Sequence, residues 1–312
     1  MQRFNNILFV SHGVSDEKEA LQMAMKLAHD NQAQLRVLIT CPAFPETLSE
    51  YKTSYEESLI HKMNETISSA KSELGFSKKK IPIQIDVDCG ATPDIRIIRH
   101  VLKNGHDLLV KASEKLESMK GFKALDMELL RKCPCALFLL CPLKHPKEGI
   151  RIAVAIDPKD EEPESLDLSL RLLEVADSLK TLYQGKLNIL SCWDFALENY
   201  LRDSVWLKMS KKELDAIVAE EKQAHGLQMQ SVIKRSQIPG EFETEQLKGN
   251  PEDVIPTTLT QKNIDILVMG TVARTGISGF IIGNTAENIL QKIDCSLLAL
   301  KPEGFVSPVK AY

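Results

Sequence analysis

The chain is expected to fold as two tandem doubly wound α/β domains, each a mostly parallel five-stranded sheet flanked by helices. Three observations predict this. Short apolar runs alternate with longer amphipathic stretches along the whole length, and the alternation starts afresh at Arg151. Matched segments then recur in the same order. Gly90-Ala91-Thr92-Pro93 answers to Gly249-Asn250-Pro251, and His106-Asp107-Leu108-Leu109-Val110 to Ile264-Asp265-Ile266-Leu267-Val268. Arg131-Lys132-Cys133-Pro134-Cys135 answers to Gln291-Lys292-Ile293-Asp294-Cys295. The repeat divides the chain into residues 1–145, residues 150–303 and a loose tail, 304–312, with the join near Lys144 to Gly149.

In chain order, Asn6 to Ser11 reads as a strand and Glu17 to His29 as a helix with Leu21, Ala24, Met25 and Ala28 on one face. Gln34 to Thr40 is the second strand, and a long polar-rich helix from Tyr51 to Leu74 stops at Gly75. Ile81 to Val87 alternates as a strand, and Pro93 opens a helix at its favoured first position. Asp107 to Lys111 is the fourth strand, Asp126 to Lys132 a short helix, and Cys135 to Cys141 the fifth strand. The second copy gives strands at Arg151 to Ile156, Lys186 to Cys192, Glu241 to Leu247, Asp265 to Gly270 and Cys295 to Leu300. Helices separate them at Ser165 to Leu182, Lys211 to Ser236 and Pro251 to Gln261, with a last one capped by Asn284. Glu287, three residues on, completes a capping-box pattern. The two fifth strands are apolar at nearly every residue, so pairing them as an internal pseudo-dimer would cover two exposed edges.

Composition narrows the function. With 43% apolar and 26% charged residues the 312-residue chain is of the soluble globular class. A net charge of −4, with Lys78-Lys79-Lys80 as the longest basic run, offers no footprint for nucleic acid. No apolar stretch is long enough for a membrane span, and the first residues have no signal-peptide pattern. Seven scattered cysteines, Cys133-Pro134-Cys135 among them, read as reduced core thiols of a cytoplasmic protein, and no zinc spacing is present.

In doubly wound sheets, ligands bind at the carboxyl ends of the strands where strand order reverses. That end of the second half carries Asp157 after its first strand and Gly270 after its fourth. A long loop from Thr271 to Ile282 then delivers the chain to Gly283, Asn284 and Thr285 at a helix start. A carboxylate facing a glycine-punctuated loop suits a nucleotide, with Asp157 accepting from ribose or base and the loop amides and Arg274 holding phosphate. Turn chemistry at Asp157-Pro158 and a plain surface loop are the alternative. The first half has His12 for Asp157, Lys111-Ala112 for Gly270 and a shorter loop, so it reads as structural or as holding a different ligand. No nucleophile elbow, Walker loop, dinucleotide fingerprint or zinc-protease helix occurs, and the residues favour binding over catalysis.

Met269-Gly270-Thr271-Val272-Ala273-Arg274-Thr275-Gly276-Ile277, continuing to Gly283-Asn284-Thr285-Ala286-Glu287, resembles the universal stress protein family. With His106 to Lys111 and Leu129 to Pro134 it resembles the tandem E type of bacteria, over essentially the whole chain. The resemblance implies two Rossmann-like domains and a stress-induced cytoplasmic protein with little or no enzymatic activity. It implies ATP or another adenine nucleotide as the ligand class, without fixing the ligand. The family's nucleotide-binding branch spaces its loop as glycine, two residues, glycine, nine residues, glycine, then Ser or Thr. Gly270 and Gly283 match the first and third glycines. Ala273 replaces the second, and Asn284 takes the hydroxyl position, with Thr285 one place late. Asp157 and Cys192 match the adenine-side positions after the first strand and at the end of the second. A scaffold that does not bind nucleotide and a slow ATPase are the alternatives, and a higher oligomer is compatible with either.

Overall fold

The computed structural model describes residues 4–13, 17–76, 82–114, 120–146, 149–159, 163–202, 209–271 and 282–312. Its strands are β1 (Asn6–Ser11), β2 (Gln34–Cys41), β3 (Ile83–Cys89), β4 (Leu108–Ala112), β5 (Ala136–Leu140), β6 (Arg151–Ala155), β7 (Lys186–Trp193), β8 (Glu243–Lys248), β9 (Ile266–Gly270) and β10 (Ser296–Leu300). Its α-helices are α1 (Lys18–Asn31), α2 (Lys52–Glu73), α3 (Pro93–Asn104), α4 (Ala124–Lys132), α5 (Pro163–Tyr183), α6 (Glu198–Arg202), α7 (Lys211–Ser236), α8 (Pro251–Gln261) and α9 (Asn284–Leu290). Every strand and every long helix read from the sequence is present. A 3-10 turn at Glu46–Tyr51 and the five-residue α6 are additional, both too short to carry a periodic pattern.

By contacts, the chain forms two compact units. One holds residues 2–142 and 294–312, with a six-stranded sheet in the order β3-β2-β1-β4-β5-β10. Its first five strands are parallel, and β10 joins antiparallel through Leu297↔Leu139, Leu298↔Phe138 and Ala299↔Leu137. The expected pairing of the two apolar fifth strands is thus observed. Ser296 fastens its start, with its Oγ 3.0 Å from the Cys141 N–H that donates to it. Strands β1, β4 and β5 are almost wholly buried, as the βαβ crossovers on both faces require. The other unit holds residues 143–274 and 283–293, with parallel strands in the order β9-β6-β7-β8.

The tail corrects an expectation, because residues 304–312 are tied down rather than loose. Ser307 Oγ donates to the Lys132 carbonyl at 2.7 Å, satisfying an orphan acceptor at the end of α4. Arg99 Nε donates to the Lys310 carbonyl at 3.4 Å, Val309 is buried, and the Lys103 ammonium lies 5.6 Å from the Tyr312 ring centroid. Polar capping, invisible in an apolar pattern, holds this segment.

Two cysteines also depart from expectation. Cys41 and Cys89 are joined in a disulfide, while the other five are not disulfide-bonded. The pairing follows from register, since the two residues are partners on the last rung of the β2–β3 ladder.

At the opposite end of the first sheet from its carboxyl ends, just before β4, His106 is buried and stacks on His100 with ring centroids 5.3 Å apart. His100 Nε2 in turn is 3.1 Å from Asp86 Oδ2. Burial, reinforced by the neighbouring His100, lowers the His106 pKa to about 4. The unfolded chain therefore takes up this proton at higher pH than the folded one. Stability should fall as pH drops from about 6.5 to about 4, by up to about 1.4 kcal/mol per pH unit from this group, and then level off. Urea unfolding of wild type and His106→Phe across that window checks it, with the variant expected to show the shallower slope.

Candidate functional site

In the second unit, β9, β6 and β7 are adjacent, with Val154 paired to both Val268 and Ile189. Their carboxyl ends bring Asp157, Cys192, Gly270 and Thr271 to one end of the sheet. Asp157 is half-buried and its Oδ1 accepts from the Lys159 N–H at 3.0 Å, closing a turn at Asp157–Lys159. Cys192 is half-buried, and burial pushes its thiol up to about 12, so it stays protonated. At Gly270 a Cβ would approach Leu168 Cδ2 to 2.9 Å, so the glycine permits close packing of α5 on the strand. Thr271 is fully buried, and its carbonyl accepts from the Gly283 N–H at 3.0 Å. That bond draws the two ends of the long loop together. Arg274 and Ala273 lie outside the described residues.

The start of α9 differs from the sequence reading. Gly283, not Asn284, is the N-cap, with φ −62° and ψ 140°, and no side chain caps it. Asn284 and Thr285 are the first two helical residues, both exposed, and the Glu287 N–H donates to the Gly283 carbonyl at 2.9 Å. The capping box occurs elsewhere, at Ser210 and Glu213 on α7. Both sites have the required spacing, but only at Ser210 does the spaced residue occupy the N-cap.

Several polar groups at this end escaped the sequence reading. Ser191 and Gln246 share a rung of the β7–β8 ladder, and Trp193 is two residues beyond Ser191 on the same face. Among the described residues Ser191 Oγ, Trp193 Nε1, Gln246 Oε1, Thr271 Oγ1 and both ring nitrogens of His225 are buried with no hydrogen-bond partner. His225 lies on α7 beside Gly226, where a Cβ would come within 2.8 Å of Gln246 Nε2. Burial lowers its pKa, with a smaller contribution from Lys159. Unpaired buried polar atoms of this kind cost about 1–3 kcal/mol each when dry, which sets this end of the sheet apart from the apolar strands beside it.

The first unit closes the equivalent place with its own side chains. Register makes His12 the counterpart of Asp157, Thr40 of Cys192, Lys111 of Met269 and Ala112 of Gly270. The helix repeat makes Asp126 the counterpart of Ala286. Lys111 is fully buried, its Nζ 3.1 Å from Asp126 Oδ1 and 3.2 Å from Glu114 Oε1. His12 bridges Glu114, at 2.9 Å, and the Thr40 hydroxyl, at 3.0 Å. The hydrogen bond from His12, with the Lys111 charge behind it, holds the Glu114 carboxyl down at about 2. Asp126 also accepts from the Glu114 N–H at 3.1 Å and from Ser113 Oγ at 3.3 Å. Two carboxylates, Glu114 and Asp126, therefore sit just beyond the end of β4 with the buried Lys111 ammonium between them. The rung that is Ser191–Gln246 in the second unit is Ile39–Val87 here. A lysine at the inward end of an apolar strand and an acid in a first helical turn were the only signals in the sequence.

A duplicated doubly wound fold, with a charged pair enclosed at one strand end and buried polar atoms at the other, sets the class of tandem α/β proteins to which this chain belongs. Its family follows from comparison. The profile of the universal stress protein family matches residues 3–140 and 151–301, and the chain belongs to that family. It is of the tandem E type: universal stress protein E of Photorhabdus laumondii is 26% identical over 323 residues, covering 100% of this chain and 99% of the relative. The universal stress protein E homolog of Haemophilus influenzae is 29% identical, over 96% of this chain and 98% of its own length. Among solved structures, a protein of unknown function from Pseudomonas aeruginosa has a TM-score of 0.69 at 21% identity, covering 97% of this chain and 94% of that one. A universal stress protein from Archaeoglobus fulgidus has a TM-score of 0.61 at 16% identity, covering 96% and 99%. At those identities the likeness speaks for the fold alone. Among the described residues no helix is long and apolar enough to cross a membrane, and no group of three or more His, Cys, Asp or Glu could hold a metal ion.

Proposed function

We propose that this chain is a cytoplasmic stress-response binding protein whose second domain, residues 150–303, holds an adenine nucleotide or a similar phosphorylated ligand, while the first, residues 1–145, is closed to it. The observation that carries this reading is the contrast between the two strand ends. Thr271 Oγ1, Ser191 Oγ and Trp193 Nε1 are buried without partners in one half, and the Lys111–Asp126 pair fills the other. Met269 and Ala286 hold the positions of that pair in the second half, and neither carries a charge. The groups present fit a nucleotide. Asp157 would accept from ribose or base and Cys192 would line the base. Thr271, with the backbone of Gly270, Gly283, Asn284 and Thr285, would hold phosphate, and Arg274 would supply the cation. The bound nucleotide would bring the charge that these groups are arranged to receive, and the chain itself only binds and orients it.

Gly283 has an ordinary φ, so Gly283→Val should keep the fold while its side chain blocks approach to the loop ends. Calorimetry with ATP and ADP should show binding to wild type and at least a tenfold weaker Kd for the variant, about 1.4 kcal/mol. Equal affinities would remove the loop from the site. No binding by wild type would favour the scaffold alternative, to which Ala273 and Asn284 point by departing from the family's spacing.

A further inference from the structure

Cys41 and Cys89 end β2 and β3 side by side, with Cα atoms 4.3 Å apart. The Gly90 N–H donates to the Cys41 carbonyl at 2.9 Å immediately beyond them. The duplication supplies an internal comparison at this rung. In the second half it is Trp193–Lys248, with the Gly249 N–H on the Trp193 carbonyl at the same 2.9 Å. There the link is non-covalent, the Lys248 ammonium lying 5.6 Å from the Trp193 ring centroid. The fold thus reaches this rung without a covalent bond, and the cysteine pair is an addition to the first half.

Its position suits reversible chemistry. β3 is the edge strand of its sheet, and none of its residues is fully buried. Cys89 is half-buried and Cys41 is 6% exposed, whereas Cys133, Cys135, Cys141 and Cys295 are enclosed in the core and Cys192 has no cysteine on its rung. An edge strand opens locally more readily than a central one, which gives a small disulfide access to Cys89. We propose that Cys41 and Cys89 form a reversible dithiol–disulfide pair, exchanged with small disulfides of the glutathione class, whose oxidation locks edge strand β3 onto β2.

The exchange balances in two steps. The Cys89 thiolate attacks one sulfur of glutathione disulfide, forming a mixed disulfide and expelling one glutathione thiolate. The Cys41 thiolate then attacks the Cys89 sulfur, the protein disulfide forms and the second glutathione leaves. Two electrons pass from the two cysteines to one glutathione disulfide, and the two thiol protons end on the two glutathiones. The lock also touches the ionic cluster of the first half, because Thr40, beside Cys41, holds His12.

The test uses the full chain equilibrated in buffers running from excess reduced glutathione to excess glutathione disulfide, trapped with acid and iodoacetamide and mapped by mass spectrometry. The expected result is a joined Cys41–Cys89 peptide at the oxidising end and two alkylated cysteines at the reducing end, with the other five free throughout. Hydrogen exchange at Ile83 to Cys89 should be slower by roughly tenfold or more in the oxidised protein. Cys89→Ser should abolish that redox dependence. A bond that persists in excess reduced glutathione, a pair that never joins, or joining without slower exchange in β3 would each overturn the proposal, and the first two are read on wild type alone.

Discussion

Lys111→Ala is expected to destabilise the protein by about 3–5 kcal/mol, the cost of removing one partner from a buried ion pair. Lys111 and Asp126 are both wholly enclosed, and alanine leaves the Asp126 carboxylate with only the Ser113 hydroxyl and the Glu114 N–H. The second half shows what a neutral replacement looks like, since Met269 and Ala286 hold the equivalent positions without charge. Lys111→Met with Asp126→Ala should therefore recover most of the loss, because a buried pair seldom outperforms well-packed apolar groups of similar volume. Denaturant unfolding of Lys111→Met, Asp126→Ala and the double variant gives the coupling directly. Single and double variants of equal stability would mean that the pair does not act as a buried unit.

Asp265→Ala should be the next most damaging change, at about 2–4 kcal/mol, because it strips partners from several backbone donors at once. Asp265 is 2% exposed. It accepts from the N–H groups of Lys144 at 2.8 Å, His145 at 3.1 Å and Arg151 at 2.8 Å, and from His145 Nδ1 at 2.8 Å. One carboxylate thus fastens the start of β6 to the start of β9. Asp107 does the same for β1 and β4, accepting from Asn5 at 2.6 Å and Asn6 at 3.0 Å. Asp265→Asn should cost less, since one oxygen can still accept. A loss below about 0.5 kcal/mol for Asp265→Ala would mean that these donors find water instead.

Much of the candidate site was legible for a reason that Asp157, Gly270 and Thr271 illustrate. Each ends a strand or lies within two residues of its end, so strand periodicity and the reversal of strand order place them together without knowledge of any contact. Asn284 was placed one position off because capping depends on the direction from which the chain enters the helix, a tertiary quantity. Ser191, Trp193, Gln246 and His225 were missed because a polar residue inside an element announces burial only when its neighbours on other elements are known.

The sequence by itself determined the elements, the duplication, the parallel α/β architecture and the pairing of the two apolar fifth strands. These depend on local periodicity and on the need to bury continuous apolar runs. Only the tertiary structure showed which side chains meet at each strand end. Lys111 meets Asp126, and Cys41 meets Cys89 across a separation of 48 residues, because strand order and register bring each pair together. Hydrophobic pattern selects the face on which a side chain lies. The identity of its partner, and with it the difference between a strand end filled by a charged pair and one with unpaired polar atoms, is set where separate elements meet.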